Sequence, residues 1–279
     1  MRFAAFLLTI TCVLALSSVS ACSSQTGDPP VAKGTPPPGG KDQRVRDVAD
    51  PNKEGHAALV STTQAISGAM VIAVDDFDET KNGKGTGTVY VQDIGATRET
   101  PYSGISLFAT TFSPGNLAVA PGDVVNLRGQ YQENQQIPST PPVIFAKDAV
   151  LPQIAQATAT FRYETAQPEP IDIDLADLTD YAKARRWFGM LVRVKDVVVA
   201  RDPFEGSTGR LSIDLPPAIQ TPSAACDTPF PKSASLVNDL FDLKSMGIKK
   251  DQRIASIVGV VSYFCNFKLA PRFKADIQL

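Results

Sequence analysis

From Met70 to its end the chain is written in short apolar or alternating runs separated by Gly, Pro and Asx turns, and the same order of runs is met twice. Runs of this length with period-two alternation are strands. In the first pass Met70–Val74 and Gly87–Asp93 flank Asp75–Gly85, where Asn82-Gly83 signals a hairpin. Gly104–Ala109 follows, Pro121-Gly122 opens Asp123–Tyr131, and a fifth strand is expected from Val143–Ala146 towards Val150-Leu151. In the second pass Gly189–Val194 continues through Val199, a turn follows Pro203, and Leu211–Leu215 comes next. Ile254–Phe264 holds Gly259, where a barrel strand would bend, and the last strand is expected over Phe273–Leu279. The spacing of Leu236, Val237, Leu240, Phe241 and Leu243 predicts an amphipathic helix capped by Ser235 and ended by Gly247. A second short helix is expected from Asp180, with Trp187 packed on the sheet behind it.

Five strands with a helix or loop between the third and fourth fit a small Greek-key barrel. The expected fold class is therefore all-β with one or two short helices: two tandem OB-like Greek-key β-barrels behind a disordered tether.

The N-terminus bounds the compartment. Met1-Arg2, an apolar run over Phe3–Leu16 and the small residues Ser17–Ala21 make a secretory signal peptide. The run is well short of the roughly 20 residues that span a bilayer. Val19-Ser20-Ala21-Cys22 resembles the lipobox of bacterial lipoproteins. The resemblance implies cleavage before Cys22, a diacylglyceryl thioether on its sulfur and acylation (palmitate) of the new amino terminus. Several acyl chains anchor stably where one is marginal. The other reading is a plain secretory peptide cut after Ala21, leaving an ordinary thiol. Ser23 and Ser24, with no Asp there, imply by the same resemblance passage to the outer membrane of a Gram-negative bacterium. The expected location is thus the cell envelope, lipid-anchored.

The segment to about Gly55 is rich in Pro and Gly without hydrophobic periodicity and reads as a disordered tether. The expected organisation is signal peptide 1–21, tether 22–55, first barrel 56–152 and second barrel 153–279. Of the 4 Cys, Cys12 leaves with the signal peptide and Cys22 takes the lipid, so Cys226 and Cys265 are read as a disulfide in an oxidising compartment.

Trp187–Val194 resembles the opening strand of OB-fold modules found in secreted bacterial nucleases, and Asn266–Arg272 with Asp276-Ile277 resembles their closing strand. Gly87–Asp93, Tyr102–Ile105 and Pro121–Asp123 resemble the same modules, so the likeness covers about Ala65 to Leu279. It implies a fold and a polymer-binding role. In those enzymes the modules accompany a separate catalytic domain that uses a pair of histidines with acidic metal ligands. This chain has 1 His, His56, read as a solvated linker residue, and is too short to hold such a domain. No enzyme activity and no cofactor are expected.

Two candidate sites remain. Asp75, Asp76 and Asp78 with Asn82 are a weak calcium candidate, because the loop lacks the later ligands and distal Glu of the known calcium pattern. A solvated hairpin is the plainer reading. Arg193, Arg210, Phe267, Lys268 and Arg272 are the candidate ligand-binding set, since OB barrels hold single strands through cations and stacked aromatic rings. Basic residues alternating with apolar ones also describe an ordinary solvent-facing strand. The first half is acidic and the formal net charge is -2, so nucleic acid is possible but not favoured. The function expected is a non-enzymatic envelope lipoprotein that binds or scaffolds a protein partner, held to the membrane by the lipid on Cys22. The alternative is an extracellular nucleic-acid-binding module partnering a separate nuclease.

Overall fold

A computed structural model of the protein describes residues 43–78, 81, 83, 85, 87–134, 150–205, 211–215, 234–264 and 266–279. Cys22, Asn82, Arg210, Cys226 and Cys265 lie outside them, as do the signal peptide and most of the expected tether. The fold is all-β with short helices, in two sheets.

The first sheet contains β1 (Thr63–Val74), β2 (Val89–Asp93), β3 (Gly104–Phe108), β4 (Thr111–Ser113), β5 (Asp123–Asn134) and β6 (Leu151–Glu164). Strand β1 is long enough to serve two neighbours, β5 mainly along its first half and β2 along its second. Strand β2 pairs antiparallel with β3, β3 parallel with β6, and β6 antiparallel with β5. The ring β1-β2-β3-β6-β5-β1 therefore closes, which removes exposed edges.

The second sheet repeats the order. It holds β7 (Ile171–Asp172), β8 (Leu191–Val198), β9 (Phe204–Glu205), β10 (Leu211–Asp214), β11 (Ser235–Val237), β12 (Arg253–Phe264), β13 (Asn266–Ala270) and β14 (Ile277–Gln278). Strand β8 pairs with β12, β12 with β13, β13 in parallel with β11, β11 with β10, and β10 with β9. Since β9 continues β8 across residues 199–203, the first strand of this barrel is split in two. The ring returns to its start through the covalent chain. Gly129 and Gly259 occupy matching places in the two fourth strands. A Cβ there would stand 2.5 Å from Ile154 Cγ2 and 2.8 Å from the Ala270 carbonyl oxygen, so each glycine lets the fifth strand cross closely.

Each barrel has its own core. Ile66, Val91, Ile105, Leu107, Leu127 and Ile154 fill the first, and Trp187, Met190, Val192, Ile257, Phe267 and Leu269 fill the second. The expected helix at Asp180 is present as α2 (Tyr181–Arg185), and the Asp180 side chain accepts from Lys183 N at 2.9 Å. Trp187 is buried, and its Nε1 donates to Asp177 Oδ2 at 3.2 Å. Burying a side chain of that size contributes about 3 kcal/mol, and the hydrogen bond lets its polar atom follow.

Three expectations are corrected. Residues 43–55, expected as part of the tether, carry structure of their own. Gln43 bridges Ile66, and α1 (Val45–Ala49) buries Val45, Val48 and Ala49. Its first two amides, Val45 N and Arg46 N, donate to the Asp93 carboxylate at 2.7 and 3.1 Å, so a strand of the barrel caps the helix. His56 is accordingly 7% exposed and no solvated linker. The expected boundary after 152 falls inside β6, which runs to Glu164 in the first sheet. Residues 143–149 of the expected fifth strand lie outside the described residues. The expected helix over Leu236–Leu243 is β11 followed by a 3-10 turn at Leu243–Met246, because Ser235–Leu236 pairs with Lys268–Leu269.

Candidate functional site

The four described members of the expected ligand set are already engaged. Phe267 is fully buried, with ring neighbours Tyr263, Tyr181 and Phe188 at 5.1, 6.0 and 6.3 Å between centroids. Lys268 is 3% exposed. Arg272 donates through Nε and Nη2 to both oxygens of Asp276 at 3.0 Å, and through Nη1 to Gln167 Oε1 at 2.6 Å. Arg193 lies 3.4 Å from Asp172, which also accepts from Lys195 at 2.6 Å. The Lys195 hydrogen bond holds the Asp172 carboxyl below its ordinary range. No base can stack on Phe267 while the barrel is folded.

The reason lies in how the barrels meet. An OB barrel binds polymers across strands two and three of one face. Here β2 is buried along its whole length and β3 is buried up to Phe108. Ile72, Ala73 and Tyr90 from the outside of the first barrel form one apolar cluster with Leu191, Val237, Leu240, Val260 and Ala270 from the second. Backbone contacts fix the register of this junction. Gln92 Oε1 accepts from Leu191 N at 2.8 Å, and Tyr102 N donates to Arg186 O at 2.8 Å. Gly104 and Gly189 lie back to back: a Cβ on Gly104 would stand 2.4 Å from the Gly189 carbonyl carbon.

A polar cluster ties the same two bodies further along the junction. Glu133 Oε1, at the end of β5, accepts from His56 Nε2 at 3.0 Å, from the Tyr131 hydroxyl at 3.2 Å, and from Arg185 Nη2 of α2. Arg185 Nη1 also reaches the Tyr181 hydroxyl at 3.3 Å, and that hydroxyl donates to Val150 O at 2.6 Å. Burial works to raise the Glu133 carboxyl, but His56 and Arg185 outweigh it and hold it below the ordinary glutamate range. Burial and the neighbouring Glu133 charge push the Tyr131 phenol up. With its members largely buried and held on one another across the junction, the cluster acts as a clamp between the barrels. Sequence reasoning missed it, because His56, Glu133 and Arg185 are far apart in the chain and each reads as an ordinary surface residue. The pairing itself left no local signal.

Of the calcium candidate, Asn82 lies outside the described residues and the three aspartates have different surroundings. Asp75 is buried, Asp76 is exposed, and Asp78 Oδ2 accepts from Gly83 N at 2.7 Å. Among the described residues no group of three or more His, Cys, Asp or Glu side chains is placed to hold a metal ion. Two clefts among the described residues bear on the site. One of about 280 Å³ lies beside β7 and β8 and is lined by Asp172, Asp174, Arg193, Lys195 and Asp196. The other, of about 250 Å³, lies at the barrel junction between Val74, Val119, Leu240 and Phe273.

No family model matches the chain, and no curated protein matches it. Among solved structures it is similar to a crystal structure of a deletion mutant of the single-stranded DNA binding protein from Thermus aquaticus. That likeness has 7% identity over 73% of this chain and 88% of that chain, with a TM-score of 0.19, too low to carry an argument.

Proposed function

We propose that this chain is a lipid-anchored protein of the cell envelope, held in the outer membrane through Cys22, whose two fused barrels bind or scaffold another envelope protein without catalysis. The observation that supports the reading most is the covering of the outer side of β2 at the junction, where Tyr90 packs against the second barrel and Gln92 accepts from Leu191 N, with Gly104 of β3 against Gly189. Part of the face that OB barrels offer to polymers is thus taken up by the second barrel, so the pair of barrels acts as one block. The cations named for a polyanion hold carboxylates of the same chain, with Arg272 on Asp276 and Arg193 on Asp172. A phosphate backbone would have to displace them.

The test is a fluorescence-anisotropy titration with a labelled single-stranded oligonucleotide at low salt. No saturable binding is expected. Micromolar or tighter binding that salt abolishes would overturn the scaffold reading in favour of a nucleic-acid-binding module. Anchoring is tested separately. Cys22→Ser should release the protein from membranes or leave the precursor uncut, and intact-mass analysis of the wild type should find acyl mass on Cys22. An unmodified Cys22 thiol at the mature N-terminus refutes the anchor.

A further inference from the structure

The cleft at the barrel junction has a composition that points to a ligand. Its floor is Ala73 and Val74 at the end of β1, one wall is Val119, Ala120 and Pro121, and the other is Leu240, Arg272 and Phe273 from the second barrel. Leu240 is buried deep in the wall, whereas the Phe273 ring is 41% exposed at the mouth. Two charged side chains line the cleft, Arg272 and Asp76. Lys274, next to Phe273 in sequence, does not.

These two charges are not equivalent. Arg272 is neutralised by Asp276, and both side chains are under 9% exposed. Asp76 is exposed, and its carboxylate has neither an ion pair nor a side-chain hydrogen bond among the described residues. Among the described residues that line the cleft, the charge left uncompensated is therefore one carboxylate. The Arg272 guanidinium already lies 4.7 Å from the centroid of the Phe273 ring, so that ring accepts a cation on one side.

An apolar slot, a half-open aromatic ring and a lone carboxylate at the rim together select an organic cation carried on a hydrocarbon stem. The carboxylate repels anions, and the volume suits one long side chain rather than a polymer. A guanidinium fits better than an ammonium, because it stacks flat on a ring and gives a carboxylate two parallel N–H donors. We propose that this cleft receives an arginine side chain of a partner polypeptide. The proposal rests on the reading of the chain as a protein-binding scaffold and names the chemistry by which the partner is held.

The experiment uses the purified full chain with methyl-labelled Val and Leu, titrated with the blocked tripeptide acetyl-Gly-Arg-Gly-amide and followed by NMR. The methyl groups of Val74, Val119 and Leu240 should shift together and saturably, and the same peptide with citrulline for arginine should shift none of them. Asp76→Asn should weaken binding about tenfold, the loss expected for one charge-assisted pair. Phe273→Leu keeps an apolar wall without the ring and should also weaken it. Glu169→Gln, which removes a carboxylate outside the cleft, should leave it unchanged. Equal shifts with citrulline, unchanged affinity in Asp76→Asn, or no saturable shift would each overturn the proposal. Crosslinking in intact cells separates it from the scaffold reading. A protein captured equally by wild type and Asp76→Asn, with no peptide binding, overturns the cleft alone. Capture of no protein by any variant overturns the scaffold reading and the proposal with it.

Discussion

Glu133→Gln is the sharpest test of how the two barrels are joined. The substitution keeps the size of the side chain and removes the charge that faces Arg185, whose side chain is 10% exposed. The guanidinium then keeps the Tyr181 hydroxyl as a partner but no anion. Removing one member of a buried pair costs about 3–5 kcal/mol, because the remaining charge is left uncompensated. Glu133 retains 19% exposure, so water reaches the pair and the lower end, about 3 kcal/mol, is the expected loss. For a body of this size that lowers Tm by roughly 6–12 °C. The assay is thermal and urea unfolding, with Arg185→Met and the double variant to complete a cycle. The double variant should be less destabilised than the sum of the singles by more than about 1 kcal/mol. A loss below about 1 kcal/mol in Glu133→Gln, or additive singles, would refute the clamp. The pH dependence has a definite sign. The folded carboxyl lies below its ordinary value of 4.5, so its contribution is complete above that value and disappears as pH falls through the lower folded value. The Glu133→Gln variant should lack this acid-side loss.

Three further outcomes are expected. Gly104→Ala drives a Cβ into the Gly189 backbone, which cannot rotate away, and should cost roughly 1–3 kcal/mol and expose residues 165–170 to limited proteolysis; unchanged stability would show that the barrels do not meet there. Phe267→Ala should cost about 3–5 kcal/mol in urea unfolding, as truncating a buried core ring does; intact stability would remove the ring from the core. Non-reducing peptide mapping should recover Cys226 linked to Cys265, and Cys265→Ser should then lower stability by about 2–4 kcal/mol; two free thiols in freshly isolated protein would refute the bridge.

The strands most legible in the sequence are those whose alternation matches one core. Val89–Asp93, Gly104–Phe108, Asp123–Tyr131 and Ile254–Phe264 were readable because short runs rich in aliphatic residues stand between turn residues. Strand β6 was not, since Gln153–Thr160 carries Ile154 as its one large apolar residue among Ala, Gln and Thr, and follows Pro152. What makes it a strand is pairing to β5, β3 and β4 at once, a tertiary cause. The segment from Gln43 was hidden for a related reason. A five-residue helix shows too little period to detect, and its cap, Asp93, comes from a distant strand.

The misreading of Phe267 and Lys268 has a cause that reaches beyond these two residues. Alternation places Phe267 and Lys268 on opposite faces of β13, and a sequence reader assigns one face to the core and the other to solvent. In a tandem barrel there is a third option, because an outer face can be the inner face of a junction. Val260 and Ala270, partners in the β12–β13 ladder, point to the first barrel and pack against Ile72 and Tyr90. Burial on both sides of β13 follows, so residues that look like a stacking ring and a phosphate contact become core and junction. The cleft proposed for an arginine side chain lies instead at the rim where the barrels part, at Asp76 and Phe273. No strand pattern points there, since the site is made of strand ends and loops from both halves, and only the docking of one barrel on the other brings its walls together.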